Sequence, residues 1–300
     1  MKKKILISGA NGQLGKTFGI LSDKYSNWEW YFLTKKVFDL ESKSSVSASL
    51  NHIKPDVIIN CAAYTAVDQA ESEIEKAMLI NNTSLGWIGE YAKKNDCKII
   101  HFSTDYVYHN SCNRPLVETG ECSPKSVYGK SKLAGEKTLL SSQPDSLIIR
   151  TSWVYSPFGK NFFLTIQKLA EEREELKVVN DQIGSPTYTF DLAKSCLQIM
   201  DDHLSNNKSF PTGIFNYSNE GACSWYDFAH AILELSDKKV RLIPVSSEEF
   251  PAKAPRPAFS LMSKKKIGSL LNQPIPHWRD ALKNCIDLAY SKLIRQNKRS

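Results

Sequence analysis

The segment that most constrains how this 300-residue chain can fold is its opening, an apolar run Ile5-Leu6-Ile7 that leads into Gly9-Ala10-Asn11-Gly12-Gln13-Leu14-Gly15. A short apolar run bounded by glycine reads as a buried strand. Glycines at a G-x-x-G-x-x-G spacing permit a tight turn, a close approach of backbone to a pyrophosphate, and packing of the next helix on the strand. The helix that follows, from about Gly12 to Asp23, aims its free N–H groups and positive dipole end at the phosphates. Strand, glycines and helix stand in the order a dinucleotide site requires. Gly9, Asn11, Gly12, Gln13, Leu14 and Gly15 are therefore expected at the cofactor.

The first half continues the alternation. Trp30–Leu33, Val57–Ile59, Lys98–Phe102 and Leu147–Ile149 read as strands, Glu71–Asn95 as one long helix, and a further helix carries Tyr128. Alternating elements of these lengths predict an α/β fold, a Rossmann-type doubly wound parallel sheet with helices on both faces, over residues 1–155. After Arg150 the texture breaks at Pro157, Gly159, Gly184 and Pro186, and shorter elements follow. Leu176–Val179 reads as a strand, and Trp225–Leu235 and Trp278–Leu293 read as helices. A smaller α/β lobe is expected over 156–300. It is interleaved with the first domain, because the helix Asp191–Met200 and the strand Ile214–Tyr217, within 188–220, suit the large sheet.

Net charge is +7, which raises the question of nucleic acid. The lysines are dispersed apart from Lys2–Lys4, Lys264–Lys266 and the terminal Lys298-Arg299, runs that read as solvated faces or chain ends. No nucleic-acid partner is expected, and the positive field suits an anionic small substrate or a phosphorylated cofactor. No apolar run reaches the length of a membrane span, and Ile5–Ile7 is too short for a secretory h-region. The seven cysteines, Cys112 among them, show no C-x-x-C or zinc spacing. Reduced thiols in the cytoplasm are the expectation, with no metal site.

Four further positions carry chemistry. At the end of the second strand Thr34-Lys35-Lys36 brings no carboxylate to the adenosine ribose, so NADPH is favoured over NADH, with Asp39-Leu40 near the adenine. Ala62, Ala63 and Tyr64 follow the third strand, where small residues let a flat cofactor pass close to backbone. Ser103, Thr104 and Asp105 end the fourth strand and project into the same crevice, where a hydroxyl can share proton delivery. Tyr128 and Lys132 lie four residues apart, on one face of their helix. A neighbouring ammonium pulls a phenol down from its ordinary value near ~10.

These motifs, G-A-N-G-Q-L-G, N-C-A-A-Y-T-A-V-D-Q-A-E, S-T-D-Y-V-Y and Y-G-K-S-K-L-A-G-E, resemble the extended short-chain dehydrogenase/reductase family. R-T-S-W-V-Y, V-V-N-D-Q-I-G-S-P-T and S-W-Y-D-F-A narrow the resemblance, nearly end to end, to the dTDP-4-dehydrorhamnose reductase branch. That resemblance implies reduction of a dTDP-4-keto-deoxysugar by NAD(P)H in a monomer or homodimer. Tyr128 is implied as the proton donor, Lys132 as the residue that holds the nicotinamide ribose and lowers the tyrosine pKa, and Thr104 as the partner hydroxyl. It also implies Asp105, Trp153, Asn161, Gln182 and Arg256 as substrate-binding residues in the smaller lobe. Some members use magnesium, but no acidic cluster of octahedral character surrounds Phe190. A sister nucleotide-sugar reductase or epimerase, or an NADP-binding regulatory subunit, are the alternatives.

Overall fold

The structure, a computed structural model, describes residues 2–108, 113–250 and 252–297, with side chains as far as 291. Cys112 and Lys298-Arg299 lie outside the described residues. Six parallel strands form the central sheet: β1 (Lys3–Ser8), β2 (Trp28–Leu33), β3 (Val57–Asn60), β4 (Lys98–Thr104), β5 (Ser146–Thr151) and β6 (Gly213–Tyr217), in the order β6-β5-β4-β3-β1-β2. The order reverses at β1, and the crevice outside the carboxyl ends of β1 and β3 is where a ligand binds in a sheet of this kind.

Successive side chains of the strands enter two different cores. Ile5 and Ile7, Val57 and Ile59, and Ile100 and Phe102 pack on one face with α1 (Gln13–Leu21). Leu6, Ile58 and Ile99 pack on the other with α2 (Lys43–Ile53), α3 (Ser84–Lys94) and α4 (Val127–Ser142). Both faces being covered explains why these strands read as unbroken apolar runs.

The chain then leaves the sheet for α5 (Phe162–Glu172), returns through α6 (Thr189–Leu204) and β6, and leaves again for α7 (Trp225–Leu235) and α8 (Trp278–Asn297). The helix α6 packs beside α1, where the buried Thr17 hydroxyl donates to that of Thr189 at 2.8 Å. Beside the central sheet the described residues form three small two-stranded sheets, of which Glu175–Val179 with Arg241–Val245 is the longest. The second of those strands is not evident from sequence, because Pro244 interrupts it.

Two other elements differ from the sequence reading. The expected helix over 71–95 is divided into Ile74–Met78, a π-helical turn Leu79–Thr83, and α3. The π turn carries Asn81, whose amide bonds both backbone groups of Tyr64 and the Ser131 hydroxyl, so the loop after β3 is tied to α4. α2, rich in serine and so poor in helix propensity, is held by its Ser42 cap and by buried Val46, Leu50 and Ile53.

Candidate active site

A cleft of about 700 Å³ opens at the carboxyl ends of the strands. Of the positions expected at a site, Gly9, Gly12, Gln13, Leu14, Lys35, Asp39, Leu40, Ala62, Ala63, Ser103, Thr104, Asp105, Tyr128, Lys132, Trp153 and Asn161 all line it. At one end the glycine turn forms a cradle. Gly9 has φ +66, and a Cβ on it would lie 2.9 Å from the backbone nitrogen of Ala62, while one on Gly15 would overlap the Gly9 carbonyl. Only glycine fits either position, the first letting the turn pass against Ala62 and the second letting α1 pack on the turn. The first N–H groups of α1 face it without any side-chain cap, as an anion site requires.

At the other end stand Tyr128, Thr104, Asp105 and Lys132. Ser126 caps α4 by accepting from the Gly129 N–H at 3.1 Å, which sets where Tyr128 enters the helix. The Tyr106 ring meets that of Tyr128 edge-on at 5.5 Å. Burial pushes the Tyr128 phenol up to about 12, with a hydrogen bond from Thr104 opposing the rise and Asp105 adding to it. The expected lowering by Lys132 is not among the causes of this shift. The ammonium of Lys132 is committed behind the tyrosine, donating to the Phe102 carbonyl at 2.7 Å and lying 3.2 Å from His101 Nε2. Burial lowers it to about 8, against the pull of Glu136.

The Thr104 hydroxyl donates to Asp105 Oδ1 at 3.0 Å. Asp105 is buried, and its Oδ2 has no partner. Burial pushes this carboxyl up to about 6, restrained first by the Thr104 hydrogen bond. An orphaned, desolvated carboxylate oxygen beside a phenol is a strong acceptor awaiting a hydroxyl.

Trp153 sits at a left-handed φ of +48, a costly conformation for a bulky residue. Its ring is stacked on Trp225, centroids 3.7 Å apart and planes 11° from parallel, with Phe162 against Trp225 in turn. Trp225 belongs to the W-Y-D-F-A motif but was not among the expected site residues.

The other expected positions are placed differently. Asn11 is exposed in the turn, and Gly15 is buried in α1. The Thr34 carbonyl accepts from Val37 and Phe38 in a turn. Tyr64 is buried, its hydroxyl donating to Glu73. The Gln182 amide donates to Ser247. Arg256, expected at the diphosphate, donates from Nη2 to Asp68 Oδ2 at 2.7 Å, and the Ala254 N–H donates to the same carboxylate. Gln13 and Asn161 line the cleft but are joined to each other, Asn161 Nδ2 donating to Gln13 Oε1 at 2.8 Å. Asn161 also caps α5. The Ser103 hydroxyl is taken by Glu136, which the buried Arg150 grips from Nε and Nη2.

Beside the adenosine end, Lys35 pairs with Glu41 and lies 4.0 Å from Asp39. Thr34-Lys35-Lys36 was expected to stand without a carboxylate, but the turn after β2 folds Glu41 back into the cleft wall. Among the described residues no group of three or more His, Cys, Asp or Glu is assembled that could hold a metal ion, and no helix is long and apolar enough to cross a membrane.

Residues 2–291 match the family model described as RmlD substrate binding domain. The chain is 42% identical over 280 residues to the spore coat polysaccharide biosynthesis protein SpsK of Bacillus subtilis, covering 93% of this chain and 95% of the relative. It is 38% identical to the dTDP-4-dehydrorhamnose reductase of Aggregatibacter actinomycetemcomitans, over 94% of this chain and 97% of the relative. The crystal structure of dTDP-4-dehydrorhamnose reductase from Bacillus anthracis in complex with NADP superposes with a TM-score of 0.89 at 36% identity, covering 95% of this chain and 99% of that one.

Proposed function

The chain belongs to the RmlD substrate-binding-domain family, and from that premise we propose that it reduces dTDP-4-dehydro-6-deoxy-L-mannose to dTDP-L-rhamnose with NADPH or NADH. The observation that carries this reading is the single cleft in which a glycine cradle at one end faces Tyr128, Thr104, Asp105 and Trp153 at the other. The cradle fits a dinucleotide, since the glycine turn and the uncapped first turn of α1 meet at the cleft wall and leave backbone N–H groups for its phosphates. When bound, the dinucleotide supplies the hydride to the sugar C4.

The chain's own residues do the rest. Tyr128 gives its phenolic proton to the C4 oxygen, and the Thr104 hydroxyl, turned from Asp105 Oδ1, donates to that oxygen and holds it in line. Asp105 Oδ2 accepts from a sugar hydroxyl, which removes its orphaned state. Trp153, braced by Trp225, offers a flat apolar face to the C–H groups of the deoxysugar. Lys132 has three donors and spends two on Phe102 and His101, which leaves one for the cofactor ribose. Residues 1–155 with 188–220 form the cofactor side and the remainder of 156–300 the sugar side. The reading extends to a cytoplasmic monomer or homodimer whose product enters a polysaccharide.

The test is oxidation of NADPH and of NADH by the purified protein with the dTDP-keto-sugar. Tyr128→Phe is expected to lower kcat by about 10²–10⁴-fold while leaving dinucleotide affinity within a few-fold. Turnover by neither cofactor overturns the reading.

A further inference from the structure

The register of the sheet places Ser8 of β1, Asn60 of β3 and His101 of β4 side by side. All three are buried, among the apolar residues of three adjacent strands. Their side chains make a continuous polar row. Ser8 Oγ donates to the Asn60 amide oxygen at 2.5 Å, the Asn60 amide nitrogen lies 3.0 Å from His101 Nδ1, and His101 Nε2 is 3.2 Å from Lys132 Nζ. The Ser8 hydroxyl also accepts from the Ala62 N–H, in the wall of the cleft. A buried polar row is costly unless each member is satisfied, and this one ends on the lysine assigned above to the cofactor.

We propose that His101, oriented by Asn60, is a positioning residue that keeps Lys132 in its ammonium form by accepting a hydrogen bond at Nε2. The inference rests on the reductase reading of Tyr128 and Lys132. An ammonium group donates only, so Nε2 carries no proton and Nδ1 must carry it. Nδ1–H then requires an acceptor, and the Asn60 amide oxygen supplies it once the amide is reversed from its orientation in the structure, its nitrogen then donating to Ser8 Oγ. The orientation in the structure, with the amide nitrogen donating to Nδ1, puts the proton on Nε2 and demands an uncharged lysine amine, so an ammonium at Lys132 selects the reversed amide. The two states of the row therefore report, and bias, the charge of Lys132. His101 itself stays neutral, since burial and the lysine charge both hold its pKa well below the ordinary histidine value.

The other titratable and charged groups around Lys132 are Glu136 and Tyr128 on its own helix, Arg150 on β5 acting through Glu136, Asp105 after β4, and Cys61 after β3. Of these, Glu136 favours the ammonium. Neither Glu136 nor Arg150 changes when His101 is replaced, so a pH effect of His101 variants is separable from theirs.

The experiment is the pH profile of kcat for the full chain and for His101→Leu and His101→Gln, with the dTDP-keto-sugar and NADPH. Leucine removes the acceptor, and the glutamine carbonyl replaces Nε2. The alkaline limb, expected near pH 8 in the parent, should move down by about one unit in His101→Leu and stay at the parent position in His101→Gln. An unmoved limb in His101→Leu, or a glutamine variant that shifts as leucine does, overturns the proposal. If the parent itself does not turn over the keto-sugar, it is the reductase reading that fails. A second measurement does not depend on the leucine variant folding. In ¹⁵N-histidine spectra of the parent, the resonances lost in His101→Gln should show a neutral ring protonated at Nδ1 at pH 7. A ring protonated at Nε2 contradicts the proposal.

Discussion

Asp105 shows at the scale of one residue how function costs stability. Its carboxyl, ordinarily near 3.8, is raised by burial to about 6, so the folded state binds this proton more tightly than the unfolded state. The charge is tolerated without penalty only where both states are protonated, below about pH 4. The penalty grows as pH rises from there to 6 and is complete above it, at roughly 3 kcal/mol. Asp105→Asn should therefore unfold at higher denaturant than the parent at pH 7.5, with the gain vanishing near pH 4. The same variant should lose most of its activity, because the acceptor for the sugar hydroxyl is gone. Equal denaturation midpoints at pH 7.5 would show that the carboxylate is satisfied in a way the structure does not contain. That Tyr128, Lys132 and Thr104 share one cleft was legible from spacing and motif. What spacing hid was which atoms Lys132 touches. The i, i+4 rule puts it on the tyrosine's face of the helix, and its ammonium is held at β4 by the Phe102 carbonyl and lies beside His101 Nε2.

Among the elements, α4 does the most. It presents Tyr128 and Lys132 to the cleft and Glu136 to β5, where Arg150 grips it across a fully buried pair with a 2.6 Å contact. Breaking one side of such a pair strands a charge in the core. Glu136→Ala is expected to destabilise the fold by about 3–5 kcal/mol, read by urea unfolding, and a loss below about 1 kcal/mol would show that Arg150 finds another partner. Ser126→Ala removes the cap of α4 at a smaller cost, about 1 kcal/mol, and should lower kcat through misplacement of Tyr128 more than it raises KM. The sheet strands were readable because burial on both faces leaves unbroken apolar runs. The π turn at Leu79–Thr83 and the serine-rich α2 were not, because tertiary contacts outweigh local propensity there. The polar row was hidden for a related reason. Ser8, Asn60 and His101 stand 41 or more residues apart and become neighbours only through strand register.

Over the whole molecule, the cleft joins two tasks at its two ends. At the adenosine end Lys35 is exposed and neutralised by Glu41, whose carboxylate holds the lysine pKa up. Glu41→Gln should free the lysine for a 2′-phosphate and raise the NADPH-to-NADH ratio of kcat/KM by roughly fivefold, the scale of an exposed ion pair. Lys35→Ala should lower the same ratio, and an unchanged ratio in both would place cofactor choice elsewhere. Gln13 after the glycine turn and Asn161 at the start of α5 are joined in the cleft wall, a bond between two residues that the sequence assigns separately to cofactor and substrate. The measurement that tests the account most directly is isotopic. The protein is given dTDP-4-dehydro-6-deoxy-L-mannose and NADPH deuterated at the transferable position, and the product is read by NMR. The account expects one deuterium at C4 of dTDP-L-rhamnose, formed at a rate that Tyr128→Phe lowers at least a hundredfold, near the bottom of the usual range of about 10²–10⁴ for a general acid. Deuterium absent from C4, or a phenylalanine variant that turns over like the parent, would contradict it.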